Sequence, residues 1–246
     1  MNVDGLVVED RDAVRWITFA RPEVRNALNG AVLVGLRDAV VAADADDGIA
    51  VVVVRGDGDT FSSGLDLKAM QRGELPPDAL RNAIHALRSA SVPSIAAVNG
   101  PAITAGMGIT LACDFAIASD RATFADSHGK IGVISGSGIT SLLVERVGSA
   151  RAKEMSLTAR VVDAQTAEQW GLVNAVVPPD QLLPAVVDRT TRIAGHQRNL
   201  MRAMGRVHGD LAKVVAEPQF AIEAASSVAW FERDDASANW EKPSLT

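Results

Sequence analysis

The sequence predicts an α/β protein in which helices pack against a largely parallel sheet. Short apolar segments of strand-like composition alternate with segments whose apolar residues recur at helical spacing. This alternation covers about three quarters of the chain, and the remainder is helical in character. We therefore expect a core over residues 1–190 and a C-terminal helical region over residues 191–246.

Each element has its own signal in the sequence. Residues 14–19 are β-branched and aromatic, which favours a strand, and residues 30–44 have the period of an amphipathic helix. The apolar run 49–55 is typical of a strand buried on both faces. Further helices are predicted at 77–90, 105–113, 138–148, 163–171, 181–194, 198–215 and 219–233. Further strands are predicted at 94–98, 115–118 and 172–177.

Composition and charge exclude several classes of function. The chain has 48% hydrophobic and 22% charged residues and a net charge of -6, without a basic block, so no nucleic-acid partner is predicted. The most apolar stretch, 49–54, is too short to span a bilayer, and no membrane insertion is expected. An acidic start and a single cysteine, Cys113, suggest a cytoplasmic location. No histidine has metal-ligand spacing, so no metal site is predicted.

A loop with a central glycine follows the predicted strand 49–55. It reads Phe61-Ser62-Ser63-Gly64-Leu65-Asp66-Leu67. Glycine among small residues lets a backbone bend sharply and lets a ligand approach closely. Asp66 is suited to cap a following helix. By itself the motif is compatible with a ligand site or with an ordinary connecting loop.

Small residues also mark the segment 99–108, between a predicted strand and a predicted helix. Ala105, Gly106 and Gly108 leave the start of that helix sterically open. The first N–H groups of a helix have no partners within it and carry partial positive charge, so they can hold a thioester oxygen that becomes an oxyanion. Close packing of a helix on a sheet also requires small residues, and both interpretations stay open.

Taken together, the two motifs resemble the crotonase superfamily, which includes enoyl-CoA hydratases and enoyl-CoA isomerases. The resemblance runs from Arg21 to about Val177. Its other markers are Arg21–Asn29, Ala96–Gly100, Ala112–Asp114, Arg146–Gly148 and Ala164–Asn174. It implies a crotonase-type spiral of ββα units with a helical C-terminal region that supports trimerisation. Trimers of this family often pair into hexamers, so a homotrimer or hexamer is expected.

The resemblance also implies a ligand and the residues that bind it. The ligand would be an acyl-CoA or enoyl-CoA, with CoA as part of the substrate and no separate cofactor. The N–H groups of Leu65 and Ala105 would polarise the thioester carbonyl. Arg25, or nearby Arg21, would approach the CoA phosphates. The remaining expected substrate contacts are Ser63, Gly64, Asp66, Leu67, Lys68, Gly106 and Gly108.

The chain departs from this family at two positions. The resemblance places one catalytic glutamate of hydratases where this chain has Gly108, and the other, four residues after Phe124, where it has His128. Gly108 cannot transfer a proton, which argues against ordinary hydration. Family isomerases use one glutamate at the second position, and a neutral imidazole can replace it because it titrates near neutrality. His128 is otherwise a polar loop residue or helix cap.

Nearby polar residues leave further alternatives open. Asp126 either orients the His128 ring or is a turn carboxylate, and the second interpretation is favoured because adjacent loop residues often point apart. Ser135 and Ser137 either bind a ligand or cap the next helix. No acidic residue lies in the stretch 135–138, where some dehalogenase and synthase relatives carry one. Gly108 and Met107 are expected to widen or reshape the acyl pocket.

The sequence therefore predicts an acyl-CoA thioester-binding protein of the enoyl-CoA hydratase/isomerase family. Its hydratase- or isomerase-type chemistry would be weak or altered and would use His128, with Leu65 and Ala105 stabilising a thioester enolate. The alternative is a non-catalytic acyl-CoA-binding or carrier protein. Trp230, Phe231 and Trp240 either pack across a subunit boundary or cover the acyl tunnel.

Overall fold

The computed structural model describes residues 2–233, and Trp240 lies outside this range. The strands are β1 Asn2–Val3, β2 Leu6–Arg11, β3 Val14–Phe19, β4 Val51–Gly56, β5 Ser94–Val98, β6 Ala102–Ile103, β7 Phe115–Ser119, β8 Thr123–Ala125, β9 Val162–Asp163 and β10 Ala175–Val177. The helices are α1 Gly30–Asp44, α2 Leu67–Gln71, α3 Ala79–Ser89, α4 Ala105–Ala112, α5 His128–Ile131, α6 Ile139–Val147, α7 Ser149–Thr158, α8 Ala164–Trp170, α9 Leu182–Ala194 and α10 Arg198–Phe231.

The main sheet of the described residues has the strand order β1-β2-β3-β4-β5-β7-β10. From β3 onwards all neighbours are parallel, whereas β1, β2 and β3 pair antiparallel. A smaller sheet pairs β8 with β6 in parallel and with β9 antiparallel. The predicted α/β class, with a largely parallel sheet, is confirmed.

Strands β4 and β5 are formed by apolar stretches of the sequence, and helices cover both of their faces. Each side chain of β5 is buried, as are Val51–Val54 of β4. This is the burial expected where helices pack on both sides of a parallel sheet. Helix α1 is capped by Asn29, whose side chain accepts a hydrogen bond from the Val32 N–H. It buries one face against the sheet through residues such as Leu33, Leu36 and Val40.

The structure differs from the sequence prediction at several elements, including β2, α7 and α10. Strand β2 and helix α7 were not predicted, because the charged end of β2 and the polar surface of α7 hide their periods. Helix α10 is continuous, so the prediction of two helices at 198–215 and 219–233 was wrong. A proline inside a helix removes one hydrogen bond and costs about 3 kcal/mol. Contacts on both sides of Pro218 hold the two halves of α10 in place.

The first of these contacts is made by Arg202. This residue is buried, with 8% exposure, and its guanidinium donates to the carbonyls of Ala43 and Asp44 at the end of α1. It also reaches the carbonyls of Asp46 and Ile49 in the following turn. The Ala43 and Asp44 carbonyls lie in the last turn of α1, where carbonyls have no partner within the helix, so Arg202 adds hydrogen bonds to the end of that helix.

The second contact is made by Glu223, a residue that is also buried, with 6% exposure. It accepts hydrogen bonds from the N–H groups of Gly138 and Ser141 and from the Ser141 hydroxyl. It therefore caps α6 from a distant part of the chain. The predicted division between residues 190 and 191 falls within α9 and stays a prediction. No helix among residues 2–233 has the length and apolar character needed to cross a membrane.

Candidate functional site

In the loop after β4, one backbone N–H group points away from the segment that its neighbours bind. Leu28 donates to the Gly64 carbonyl at 2.8 Å and accepts from the Asp66 N–H at 2.9 Å. In extended backbone, alternate residues direct their N–H groups to opposite sides. The N–H of Leu65, between these two, therefore points away from Leu28. It donates to no other group among residues 2–233.

A second free N–H lies at the start of α4. Ala105 is the first residue of this helix, and its N–H has no hydrogen-bond partner in the described part of the chain. Thr104, just before it, has φ 49° and ψ -100°, a conformation that L residues rarely adopt. The bond from the Thr104 N–H to the Ala125 carbonyl, at 2.8 Å, holds it there. Strain of this kind is often found at functional sites.

The two loops are packed against each other. Ile103 donates to the Ser62 carbonyl at 2.9 Å. A Cβ on Gly64, which has φ +104°, would lie 3.2 Å from the Ile103 carbonyl oxygen and 3.9 Å from the Ala105 nitrogen. A Cβ on Gly106 would lie 2.6 Å from the Ser62 carbonyl oxygen. Glycine at both positions therefore lets the segments that carry the Leu65 and Ala105 N–H groups approach closely.

The side of α4 that carries Gly108 is filled with apolar atoms. A Cβ built on Gly108 would lie 2.7 Å from Ile139 Cγ1 and 3.4 Å from Ile84 Cδ1. Both isoleucines are buried. Gly108 therefore reshapes this region by admitting Ile139 and does not widen it. Among residues 2–233, the atoms nearest to this position belong to the two isoleucines, whose side chains cannot transfer a proton.

His128 begins the short helix α5 and contacts a buried carboxylate. Its Nδ1 lies 2.5 Å from Asp126 Oδ1, and its backbone N–H donates to the same oxygen at 3.1 Å. The Ser156 hydroxyl donates to Asp126 Oδ2 at 2.5 Å. Asp126 is 1% exposed. The interpretation favoured from the sequence, a turn carboxylate that does not meet the ring, was wrong, because the Asx turn folds the ring back onto the carboxylate.

Burial and hydrogen bonding act on Asp126 in opposite directions. Burial alone would raise the pKa of its carboxyl group. The hydrogen bond and charge of His128, with the Ser156 hydroxyl and the His128 N–H, outweigh burial and lower that pKa below its ordinary value. The carboxyl group is therefore ionised at neutral pH.

A pair of hydroxyl groups connects the His128 loop to the start of α4. Thr104 Oγ1 lies 2.5 Å from Ser127 Oγ and accepts from the Ser127 N–H at 3.1 Å. Thr104 precedes Ala105, and Ser127 precedes His128. The predicted base, His128, and one predicted oxyanion donor, Ala105, are therefore each adjacent in sequence to one member of this hydroxyl pair. Neither hydroxyl was singled out from the sequence, because the contact spans 23 residues.

The predicted phosphate-binding arginines have different surroundings. Arg21 donates to the Ala27 carbonyl at 2.7 Å and to Asp66 at 3.0 Å, so its guanidinium holds the loop together. Burial alone would raise the pKa of Asp66, but the Ala69 N–H and Arg21 lower it below its usual range. Asp66 caps α2, as predicted. Arg25 and Lys68 are exposed.

Ser135, Ser137 and Trp230 make hydrogen bonds within the chain, and Phe231 lies at the surface. Ser135 accepts a long bond, 3.4 Å, from the Ser137 N–H, while Glu223 supplies the cap of α6. The Trp230 indole donates to the Gly132 carbonyl of its own chain at 2.9 Å, and Phe231 is half exposed. No three His, Cys, Asp or Glu side chains within residues 2–233 are grouped so as to hold a metal ion.

Known proteins resemble this chain over most of its length. Residues 9–241 match the family model for enoyl-CoA hydratase/isomerase. A probable enoyl-CoA hydratase of Rhizobium meliloti (strain 1021) is 37% identical over 197 residues, which are 79% of this chain and 77% of the relative. The 4-chlorobenzoyl coenzyme A dehalogenase-1 of an Arthrobacter species is 36% identical over 180 residues, which are 69% of this chain and 64% of the relative.

Solved structures show the same similarity. The crystal structure of enoyl-CoA hydratase from Mycobacterium tuberculosis H37Rv has a TM-score of 0.85 at 34% identity, covering 92% of this chain and 98% of the other. A carnitinyl-CoA hydratase from Mycobacterium avium has a TM-score of 0.86 at 32% identity, covering 96% of this chain and 94% of the other. The chain therefore belongs to the enoyl-CoA hydratase/isomerase family and has the crotonase-type fold predicted from its sequence.

Proposed function

We propose that this protein binds an acyl-CoA thioester and transfers a proton at the carbon next to the thioester carbonyl. The Leu65 and Ala105 N–H groups would donate hydrogen bonds to the carbonyl oxygen and stabilise the enolate. Support comes from two unpaired N–H groups on segments that two glycines bring together. In comparable sites, removal of one such donor costs about 2.7–4 kcal/mol of transition-state stabilisation.

His128 is the base in this proposal. The observation that carries it is the 2.5 Å contact between His128 Nδ1 and the buried Asp126 carboxylate, next to the segment that presents Ala105. A histidine paired with a carboxylate is suited to accept a proton from carbon and to return it. No other histidine in the described residues contacts a carboxylate.

The surroundings of Gly108 favour isomerisation over hydration. Hydration needs a water molecule that is held and deprotonated while the neighbouring carbon is protonated. Ile139 and Ile84 fill the space beside Gly108, and neither can hold water by hydrogen bonds. A shift of a carbon–carbon double bond needs a single base. We therefore propose isomerase-type chemistry with His128, and weak hydration at most.

The test compares two substrates with purified protein. A cis-3-enoyl-CoA should gain the absorbance of a conjugated enoyl thioester, and a trans-2-enoyl-CoA should lose it slowly or not at all. His128→Ala should lower the isomerisation rate by at least about 100-fold. His208→Ala, an exposed histidine on α10, is the matched control and should leave the rate unchanged. An unchanged rate in His128→Ala would contradict the assignment of the base.

The second candidate function is a non-catalytic acyl-CoA carrier. The packing of Ile139 against Gly108 supports it, because a site that has lost its first ionisable group needs only to hold a ligand. Isothermal titration with a saturated acyl-CoA separates the two functions. Tight binding of this ligand, together with no conversion of any enoyl-CoA tested, would favour the carrier.

The CoA end of the ligand would be held near two exposed cations. Arg25 and Lys68 flank the Ser63–Asp66 loop, and both are free to move towards phosphate groups. Arg21 is occupied by Asp66, so Arg25 is the better candidate of the two arginines. A double variant, Arg25→Gln with Lys68→Gln, should weaken binding of acyl-CoA more than binding of the matching acyl-pantetheine.

A homotrimer, or a hexamer of two trimers, is the proposed assembly. Helix α10 exposes a stripe of apolar side chains that alternate at spacings of four and three residues. These are Leu200, Met204, Val207, Leu211 and Val214. This spacing is typical of helices that pack against other helices. Light scattering should give three or six copies, and Val207→Glu with Leu211→Glu should lower that number. The cytoplasmic location and the absence of a separate cofactor stay predictions.

A further inference from the structure

We propose that Asp126 and Ser156 are positioning residues that fix His128 in the tautomer with the proton on Nδ1, so that Nε2 is the atom that accepts the substrate proton. This inference rests on the proposed role of His128 as the base. Ser156 and Asp126 connect α7 to the His128 ring, and each has a defined role in holding that ring.

The contacts define a continuous chain of hydrogen bonds. Ser156 Oγ, on α7, donates to Asp126 Oδ2 at 2.5 Å, and Asp126 Oδ1 meets His128 Nδ1 at 2.5 Å. His128 therefore holds one oxygen of the carboxylate, and Ser156 holds the other. The two backbones are also close, since a Cβ on Gly129 would lie 3.3 Å from the Ser156 carbonyl oxygen. Helix α7 therefore acts as a rigid support for the carboxylate.

The chemistry of the carboxylate decides the tautomer. An ionised carboxylate has no proton to donate, so every bond at its oxygens must come from a donor on the partner. Because Asp126 is ionised at neutral pH, Nδ1 must carry a hydrogen atom. In a neutral imidazole the other nitrogen then has a free lone pair. His128 Nε2 makes no hydrogen bond among the described residues.

The proton transfer balances with this tautomer. Nε2 takes a proton from the substrate carbon next to the carbonyl, and the electron pair of that C–H bond moves onto the thioester oxygen. The ring becomes an imidazolium with hydrogen on both nitrogens, stabilised by the Asp126 carboxylate, which does not take up a proton. The Nε2 proton then returns to the far carbon of the allylic system, and the double bond moves by one position.

Ser156 has a role that packing alone does not require. An Asx turn needs only the bond from the His128 N–H to Asp126 Oδ1. The Ser156 hydroxyl binds the other oxygen, which the turn leaves free, and this prevents the carboxylate from rotating away from Nδ1. If Asp126 had only a structural role, substitution of Ser156 would not change the tautomer of His128.

Nitrogen NMR of protein labelled with ¹⁵N-histidine tests the tautomer without any substrate. The chain has four histidines, so His128→Gln assigns the His128 signals by their loss. We expect the neutral His128 ring to carry its proton on Nδ1. Asp126→Asn should move that proton to Nε2, because the amide can donate to Nδ1. Ser156→Ala should give a mixture of tautomers, and Ser156→Thr, which keeps the hydroxyl, should restore the wild-type pattern.

The control is Ser149→Ala, an exposed serine on the same helix, which should leave the NMR pattern unchanged. With a cis-3-enoyl-CoA, Asp126→Asn should lower kcat by about 10⁴-fold, as loss of the correct tautomer does in catalytic triads. Ser156→Ala should lower kcat about 10-fold with KM unchanged. A wild-type ring protonated on Nε2, or a pattern insensitive to both Asp126→Asn and Ser156→Ala, would overturn the proposal. The expected tautomer without enoyl-CoA conversion would instead refute the proposed function alone.

Discussion

Ile139 occupies the space that any side chain at Gly108 would need, because its Cγ1 lies 2.7 Å from the position of an added Cβ. The two residues are therefore matched in size. Neither can be enlarged without displacing the other. A close-packed interior does not absorb such a change easily.

Introduction of a glutamate at this position should not recreate a hydratase. Gly108→Glu should lower the free energy of unfolding by about 3 kcal/mol or more, since it overpacks the core and buries a carboxylate. Adding Ile139→Gly should recover the steric part of this loss. Urea denaturation measures both effects. Gly209→Ala, in α10, is the control, because its Cβ would meet no atom closer than 3.7 Å. Equal stability of Gly108→Glu and wild type would contradict the packing described here.

Ala105→Pro removes one proposed oxyanion donor without removing a hydrogen bond of the helix. Proline is favoured at the first position of a helix, and the Ala105 N–H has no partner to lose within residues 2–233. We expect kcat for enoyl-CoA isomerisation to fall about 10²–10³-fold. Circular dichroism should show an unchanged helix content. Full activity in a folded variant would exclude this N–H from the reaction.

The periodicity of apolar residues is sufficient to predict helices and strands that have a clear local pattern. The predicted bounds of α1 and β5 agree with the structure, because one has a clear helical period and the other is a short run of small apolar residues. Glycines also mark the Leu65 and Ala105 segments in the sequence, and the role of these two residues as oxyanion donors stays a prediction. The contacts of Ser156 with Asp126 and of Glu223 with Gly138 span 30 and 85 residues, and no local pattern encodes such distances.

Glu223 should contribute strongly to stability, because it caps α6 in a buried environment. Glu223→Ala leaves the N–H groups of Gly138 and Ser141 without partners, and each buried unsatisfied group costs about 1–3 kcal/mol. We expect the free energy of unfolding to fall by about 2–4 kcal/mol. Glu232→Ala, an exposed residue beyond the end of α10, should change it by less than about 0.5 kcal/mol. Thermal and urea unfolding of both variants make the comparison.

Asp126 should make the free energy of unfolding depend on pH in the acidic range. Its folded-state pKa lies below the ordinary value of 3.8, because the bonds and charge of His128 outweigh burial. The contribution is therefore complete above that ordinary value and is lost as the pH falls through the lower folded-state pKa. The difference in unfolding free energy between wild type and Asp126→Asn should be constant above about pH 5 and should shrink between about pH 4 and about pH 2. A constant difference across this range would show that Asp126 is not ionised in the folded protein.

Helix α10 bonds to the end of α1 through Arg202 and to the start of α6 through Glu223, two places about 30 Å apart along its axis. Detachment of this helix would remove hydrogen bonds from the carbonyls of one helix and from the N–H groups of another at the same time. The C-terminal region and the core should therefore unfold in a single cooperative transition. Amide hydrogen exchange in α1, α6 and α10 should then proceed through a common opening event.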